Sequence, residues 1–371
     1  MNAESTKKIK TAYVLCGLSY GGAERLVLDL IKNLDKEKFS IYLITIKGGG
    51  ELLPEFQTAG INIYLLNKKS RLGILTIWRL KKYLQKEQID IIHTHLFAGD
   101  TWGRLAAILA KVPVIISTEH NVNLDEGIIK KTIKRWLSHF TKKIVAVSRA
   151  VKEYQIDAEK IDPAKIQIVY NGIDLAKFPF LTDYQLRQPL TLGIIGRLEP
   201  QKGHLVTFNA LSLILKKYSL TKLMIIGQGS QKKILEQAAK NLKIEKNLIW
   251  QPPQENVGSV LNQLDLLLIP SLWEGLGLIA LEALSVGLPV VASNIHGLKE
   301  VITNEETGFL VEPNNPEQLA EKIINIIDHP ENLTKTRTKG REKVETFFEI
   351  RRMTTAYQKI YLELYENTSN Q

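Results

Sequence analysis

Glu274 and Glu282 stand eight residues apart, on either side of a leucine bracketed by two glycines, in the stretch Pro270-Ser271-Leu272-Trp273-Glu274-Gly275-Leu276-Gly277-Leu278-Ile279-Ala280-Leu281-Glu282-Ala283. Before them Asp265–Ile269 reads as a short buried strand, and after them a run of good helix formers begins near Leu278. A strand, a tight glycine turn and a helix start make an anion site, because the first N–H groups of a helix are unpaired and point outward. Eight residues of helix rise about 12 Å, roughly the span from the sugar to the ribose of a nucleotide-sugar. Glu274 can then hold sugar hydroxyls, Glu282 ribose hydroxyls, and the backbone of Gly275, Leu276, Gly277 and Leu278 the phosphates between them. The competing reading is a buried helix and strand with two solvated carboxylates.

A second loop adds the opposite charge. Gly193-Ile194-Ile195-Gly196-Arg197-Leu198-Glu199-Pro200-Gln201-Lys202-Gly203 ends another strand and places Arg197 and Lys202 five residues apart. Such cations stabilise the charge that grows on a departing diphosphate, Arg as a planar fork and Lys as a point charge. Gly21-Gly22, after the first strand, offers backbone N–H groups to phosphates or to an acceptor. It is not the G-x-G-x-x-G fingerprint of a nicotinamide site. His120 follows a strand and is expected to face a ligand. His93 and His95 end another strand and are expected to point to opposite sides, with His95 toward the ligand. His204 is expected to be solvated. No D-x-D occurs, so the reading is metal-independent, with no cofactor beyond a nucleotide-sugar co-substrate.

The elements that must carry these residues alternate. In the first half, strands are expected at Thr11–Cys16, Phe39–Ile46, Ile61–Leu66, Ile89–His93, Val114–Thr118, Lys143–Val147 and Ile166–Tyr170. Helices are expected at Glu24–Leu34, Ile74–Glu87, Asp100–Ala110 and Ile128–Phe140. The alternation restarts at Leu190–Ile195 and continues through Leu223–Ile226, Leu248–Trp250, Asp265–Ile269, Pro289–Ala292 and Gly308–Val311. Ser230 and Asn315 read as helix N-caps. This is the pattern of an α/β chain with parallel sheets, in which ligands lie at the carboxyl ends of strands. Each candidate residue above falls at such an end.

The Glu274/Glu282 stretch resembles the E-x7-E signature of retaining glycosyltransferases of family 4 (group 1 glycosyltransferases), which have the GT-B fold. The Arg197/Lys202 loop resembles that family's G-R-L-x-x-x-K-G motif, Gly21-Gly22-Ala23-Glu24-Arg25 its N-terminal loop, and Asn171-Gly172-Ile173-Asp174 its linker motif. The resemblance implies two doubly wound, Rossmann-like domains facing each other across a cleft: residues 1–177 on the acceptor side, a linker at 178–189, and a nucleotide-sugar domain at 190–345. The last helix, within 346–371, would cross back to the first domain. It also implies that His120 contacts the donor sugar and phosphate near the reacting carbon, and that configuration is retained through a same-face displacement. No nucleophile–base pair is visible in the sequence.

Composition fits this reading. A chain of 371 residues, 44% hydrophobic, suits two cores. One cysteine, Cys16, leaves no disulfide framework or thiolate metal cluster. Met1–Lys10 has no apolar h-region and no uninterrupted apolar run reaches the roughly 18 residues of a membrane span, so a cytoplasmic location is expected. Residues 1–180 hold 28 Lys and Arg against 18 Asp and Glu, whereas 181–371 hold 21 of each, so the whole excess of +10 sits on the first half. Nucleic acid is not favoured, because no recognition module is present. An anionic membrane face fits better, with Lys68-Lys69-Ser70-Arg71, Trp78-Arg79-Leu80-Lys81-Lys82 and Lys130-Lys131-Thr132-Ile133-Lys134-Arg135-Trp136 as candidates. The expected activity is transfer of a hexose or N-acetylhexosamine, UDP-linked, to a glycan or polyprenyl-linked acceptor in envelope polysaccharide or lipopolysaccharide synthesis. A nucleotide-sugar epimerase or hydrolase on the same fold, or a non-catalytic carbohydrate-binding protein, remain as alternatives.

Overall fold

The computed structural model describes residues 7–68 and 73–369. Lys69, Ser70 and Arg71 of the first basic cluster, and residues 1–6 of the N-terminal segment, lie outside the described residues. The chain divides into two compact units, one of residues 1–172 with 350–371 and one of 173–349.

In the first unit, β1 (Ile9–Leu15), β2 (Phe39–Thr45), β3 (Asn62–Leu65), β4 (Ile91–His95), β5 (Val114–Glu119), β6 (Lys143–Ala146) and β7 (Ile166–Ile168) form a parallel sheet. Its order is β3-β2-β1-β4-β5-β6-β7. The apolar runs of β1 and β4 are buried almost throughout, as strands covered on both faces must be. The second unit repeats the plan with β8 (Thr191–Ile195), β9 (Lys222–Ile226), β10 (Leu248–Gln251), β11 (Leu266–Ile269), β12 (Val290–Ser293) and β13 (Phe309–Val311), ordered β10-β9-β8-β11-β12-β13. Leu192, Ile194, Phe208, Leu211, Ile225 and Leu268 lie at the centre of its core.

Both sheets reverse strand order once, between β1 and β4 and between β8 and β11. Loops leaving two adjacent strands in opposite directions open a crevice at that point. The Arg197 loop follows β8 and the Glu274 loop follows β11; Gly21 follows β1 and His95 ends β4. The sequence motifs therefore sit at the switch point of each unit.

Two local expectations change and a third holds. Residues 178–189, expected as a linker, are fastened to the second unit: Leu181 N–H donates to Val286 O at 2.9 Å, Tyr184 Oη to Asp265 O at 2.5 Å, and the Arg337 guanidinium to Leu181 O. The chain passes between units at 172/173 and again at 349/350. Ser230 is not the cap of the helix Lys232–Leu242; its N–H and hydroxyl both bind the Glu199 carboxylate, at 3.0 and 2.8 Å. Asn315 does cap Pro316–Asp328, accepting from Gln318 N–H at 2.9 Å.

Candidate active site

The two loops of the second unit are joined to each other. Lys202 Nζ pairs with Glu274 Oε1, which also accepts Ser271 Oγ–H at 2.8 Å. Arg197 Nη2 donates to Gln201 Oε1 at 3.0 Å, and Gln201 Nε2 donates onward to Trp273 O at 2.8 Å. Leu272 N–H closes the seam on Gln201 O at 2.8 Å. Gly203 makes the approach possible: its φ is +66°, and a Cβ there would lie 2.0 Å from Pro270 O. Ile195, Lys202, Pro270, Ser271 and Ile279 line a shared hollow at the ends of β8 and β11. Gly277, at φ +84°, turns the chain into the helix Leu278–Val286, and the partly exposed Glu282 rides on that helix. Cations, a carboxylate and a helix start thus share one small region.

In the first unit the histidines form a buried cluster. His93 and His95 do not point apart as expected. Side chains two residues apart in a strand share a face, and their ring centroids are 4.1 Å apart. His93 uses both nitrogens, Nδ1 with Tyr361 Oη and Nε2 with Thr118 Oγ1, each at 2.7 Å. Tyr361 Oη also meets Tyr13 Oη at 2.9 Å, and Thr118 Oγ1 meets Tyr357 Oη at 3.2 Å. His95 Nδ1 faces His120 Nε2 at 2.9 Å. Burial pushes His93 down to about 3, His120 to about 4 and His95 well below the usual histidine value, because a charged ring would lose its hydration there. All three are neutral at physiological pH. Gly21 opens the helix Gly22–Asn33, but the Glu24 carboxylate lies over it, 2.2 Å from where a Cβ would stand. That helix start is shared with a negative charge.

Residues 185–343 match the family described as Glycosyl transferases group 1, and residues 20–177 match Glycosyltransferase Family 4. The chain is 30% identical, over 97% of its length and 98% of the other's, to the UDP-Gal:alpha-D-GlcNAc-diphosphoundecaprenol alpha-1,3-galactosyltransferase of Escherichia coli. This protein is a group 1, family 4 glycosyltransferase. Its fold is GT-B. The Anabaena HepE protein, solved in complex with UDP and glucose, superposes with a TM-score of 0.85 at 18% identity, covering 96% of this chain and all of that one. A glycosyltransferase from Rickettsia africae superposes at 0.80 with 25% identity, over 97% and 99% of the two chains.

Several residues of the glycosyltransferase act differently from their sequence-based reading. His204, expected in solvent, is 3% exposed, and burial holds it down at about 4; its place as the first residue of the helix His204–Ile214 turns it into the core. Lys134, counted with the basic surface of helix Ile128–Ser138, is buried among Glu119, Glu126 and Glu159, at 2.6, 2.8 and 2.8 Å. Sequence reading missed Gln201 and Ser271, which brace Arg197 and Glu274. Their position inside the two motifs was the available signal. It also missed the hydroxyls of Tyr357 and Tyr361. Their i,i+4 spacing marked only an apolar helix face, while their polar tips complete the His93 network.

Proposed function

We propose that this glycosyltransferase moves a hexose or N-acetylhexosamine from a UDP-linked donor to a polyprenyl-linked or other glycan acceptor, with retention of configuration and without a metal ion. The observation that carries the donor reading is the Lys202–Glu274 pair, set between the Arg197 loop and the start of helix Leu278–Val286. In this reading Lys202 and Arg197 take the diphosphate, aided by backbone N–H groups at Gly277 and Leu278. Glu274 holds sugar hydroxyls, Glu282 the ribose, and His120 the sugar–phosphate junction. As the glycosidic bond breaks, charge grows on the leaving phosphate, where fixed cations act most strongly. That phosphate then takes the acceptor's proton on the same face of the sugar. The E. coli relative, a galactosyltransferase acting from UDP-Gal on a diphosphoundecaprenol-linked GlcNAc, supports both the nucleotide and the lipid-linked acceptor.

A membrane-borne acceptor has further support on the surface of the first unit. Ile128 and Ile129 are 79% and 73% exposed on the helix carrying Lys130, Lys131 and Arg135, and Trp136 is half exposed at its end. Trp78, on Ile74–Glu87, is also half exposed, with Lys82 Nζ 3.7 Å over its ring. Apolar side chains flanked by cations suit the interface of an anionic bilayer. No described helix is long and apolar enough to cross a membrane.

Thermal shift with UDP-, GDP- and CDP-sugars tests the donor, since a ligand of the folded state raises its stability. A shift with UDP-sugars alone is expected, and no shift with any of them would defeat the reading. Turnover with a polyprenyl-diphosphate-linked sugar, followed by NMR of the new anomeric centre, tests acceptor and stereochemistry. Activity abolished by EDTA and restored by Mn²⁺ would refute metal independence.

A further inference from the structure

The two cations of the second unit's site are prepared in different ways. Lys202 is already paired with a carboxylate, Glu274. Arg197 is not: among the described residues its one hydrogen bond runs from Nη2 to Gln201 Oε1 at 3.0 Å, and no ion pair holds it. Glu199, two residues on, acts on it only through space, its carboxylate being held by Ser230 N–H and Oγ–H at 3.0 and 2.8 Å. An exposed arginine on a loop ordinarily samples many rotamers, and a ligand that immobilises it forfeits part of its binding energy. Here a neutral amide limits that motion and leaves the charge uncompensated.

The partners of Gln201 suit it to this task. It lies in the turn Pro200–Lys202 and is 5% exposed, with its amide clamped between a group that can only donate and one that can only accept. A guanidinium has no acceptor and a backbone carbonyl no donor, so Oε1 must meet Arg197 and Nε2–H must meet Trp273 O, 2.8 Å away. The amide therefore has one orientation. The main chain of the same residue is fixed as well, Gln201 O accepting from Leu272 N–H at 2.8 Å. Gln201 is thus anchored to the Glu274 loop by main chain and side chain, and it holds Arg197 from there. All of these residues belong to the second unit.

We infer that Gln201 is a positioning residue of the donor site: it aims the Arg197 guanidinium from the Glu274 loop without neutralising it, so that the diphosphate meets a cation already ordered. The inference rests on the proposed reading that Arg197 takes the diphosphate. It adds a division of labour between the cations. Lys202 must be drawn away from Glu274 to serve the ligand. Arg197 can bind while keeping Gln201, because a guanidinium carries several N–H donors.

The test is titration of UDP and of uridine into the full-length enzyme as wild type, Gln201→Met, Arg197→Met and the double variant. Methionine keeps the main-chain seam and loses both side-chain bonds. Q201M is expected to weaken UDP about threefold to tenfold, the cost of ordering a freed arginine, and to leave uridine, which has no phosphate, unchanged. In the R197M background Q201M should add less than about twofold, because residues that act through one another are not additive. The same factor lost in both backgrounds, or an equal loss for uridine, would show that Gln201 only braces the loops and would overturn the inference. If R197M weakens UDP and Q201M does not, the diphosphate reading stands and the inference alone fails. If R197M itself leaves UDP binding unchanged, the diphosphate reading of Arg197 fails and takes the inference with it. Should Q201M not fold, ¹⁵N–¹³C spectra of the wild type labelled in arginine decide. Hindered rotation of the ligand-free Arg197 guanidinium, assigned from R197M, is expected, and free rotation would refute the positioning.

Discussion

Glu274→Gln should slow turnover while binding UDP more tightly, a combination that follows from the ion pair. Glu274 Oε1 holds Lys202 Nζ and also Ser271 Oγ–H, and the two paired side chains are only 9% and 18% exposed. A diphosphate that takes Lys202 must compete with that carboxylate. A charge-assisted hydrogen bond in such a setting contributes about 1.5–3 kcal/mol, and the neutral amide oxygen that replaces it keeps about 1 kcal/mol. The difference released toward UDP is then about 1 kcal/mol or slightly more, a decrease of about fivefold to tenfold in Kd. The same substitution weakens the proposed grip on the sugar hydroxyls, so kcat should fall about tenfold to a hundredfold. Lys202→Met should behave oppositely toward UDP, because removing one member of a buried charged pair costs about 2–5 kcal/mol and leaves Glu274 unpaired. Isothermal titration with UDP alone, beside initial rates with the full donor, separates the two effects. If E274Q weakens UDP as much as K202M does, the carboxylate positions Lys202 and does not compete for it, and the argument fails.

Other outcomes follow from burial and charge. The folded state refuses protons at His93, His95 and His120, which the unfolded chain accepts near 6.5. Their contribution is therefore complete above that value and lost as pH falls toward about 4 and about 3. Glu159, raised to about 7 by burial and by Glu119, works the other way: its contribution is present below about 4.5 and lost as pH rises through 7. The urea midpoint should fall from pH 7.5 to 5.5, and more steeply in E159Q; a flat profile in E159Q would contradict this. Lys134→Met strands three carboxylates and should cost about 3–5 kcal/mol, less at pH 5 than at pH 8 because the carboxylates can then protonate. Equal losses at both pH values in urea titrations would count against that electrostatic cause. Gly203→Ala, which drives a Cβ into Pro270 O at positive φ, should lower stability by about 1–3 kcal/mol and weaken UDP binding by separating the two loops. Unchanged UDP titration in a folded G203A would show that the seam does not shape the site.

Much of this architecture was legible from residue types alone. Buried parallel strands are short continuous apolar runs, and Phe39–Thr45, Val114–Glu119 and Leu266–Ile269 lie within a residue or so of where those runs predict them. The glycine turns and capping residues that punctuate such runs are local, which is why Asn315 could be read as a cap. Ser230 failed as a cap because a carboxylate 31 residues away, Glu199, claimed both its polar groups. The 178–189 stretch looked like a linker because it is rich in polar and turn-forming residues; Asp265 and Arg337, far along the chain, bind it to the second unit.

Period and composition determined that strands and helices alternate, that the chain restarts the pattern once, and that Gly21, His95, His120, Arg197 and Glu274 all fall at the carboxyl ends of strands. Those are properties of neighbours within a few residues, and the backbone reads them locally. Which charges meet is a property of packing. Only the folded sheets bring Lys202 to Glu274 across 72 positions, draw Lys134 away from its basic helix face into three carboxylates, and seat Tyr361 on His93 across 268. Hydrogen bonds and ion pairs depend on distances of a few ångströms, and long-range pairing in the tertiary structure sets those distances.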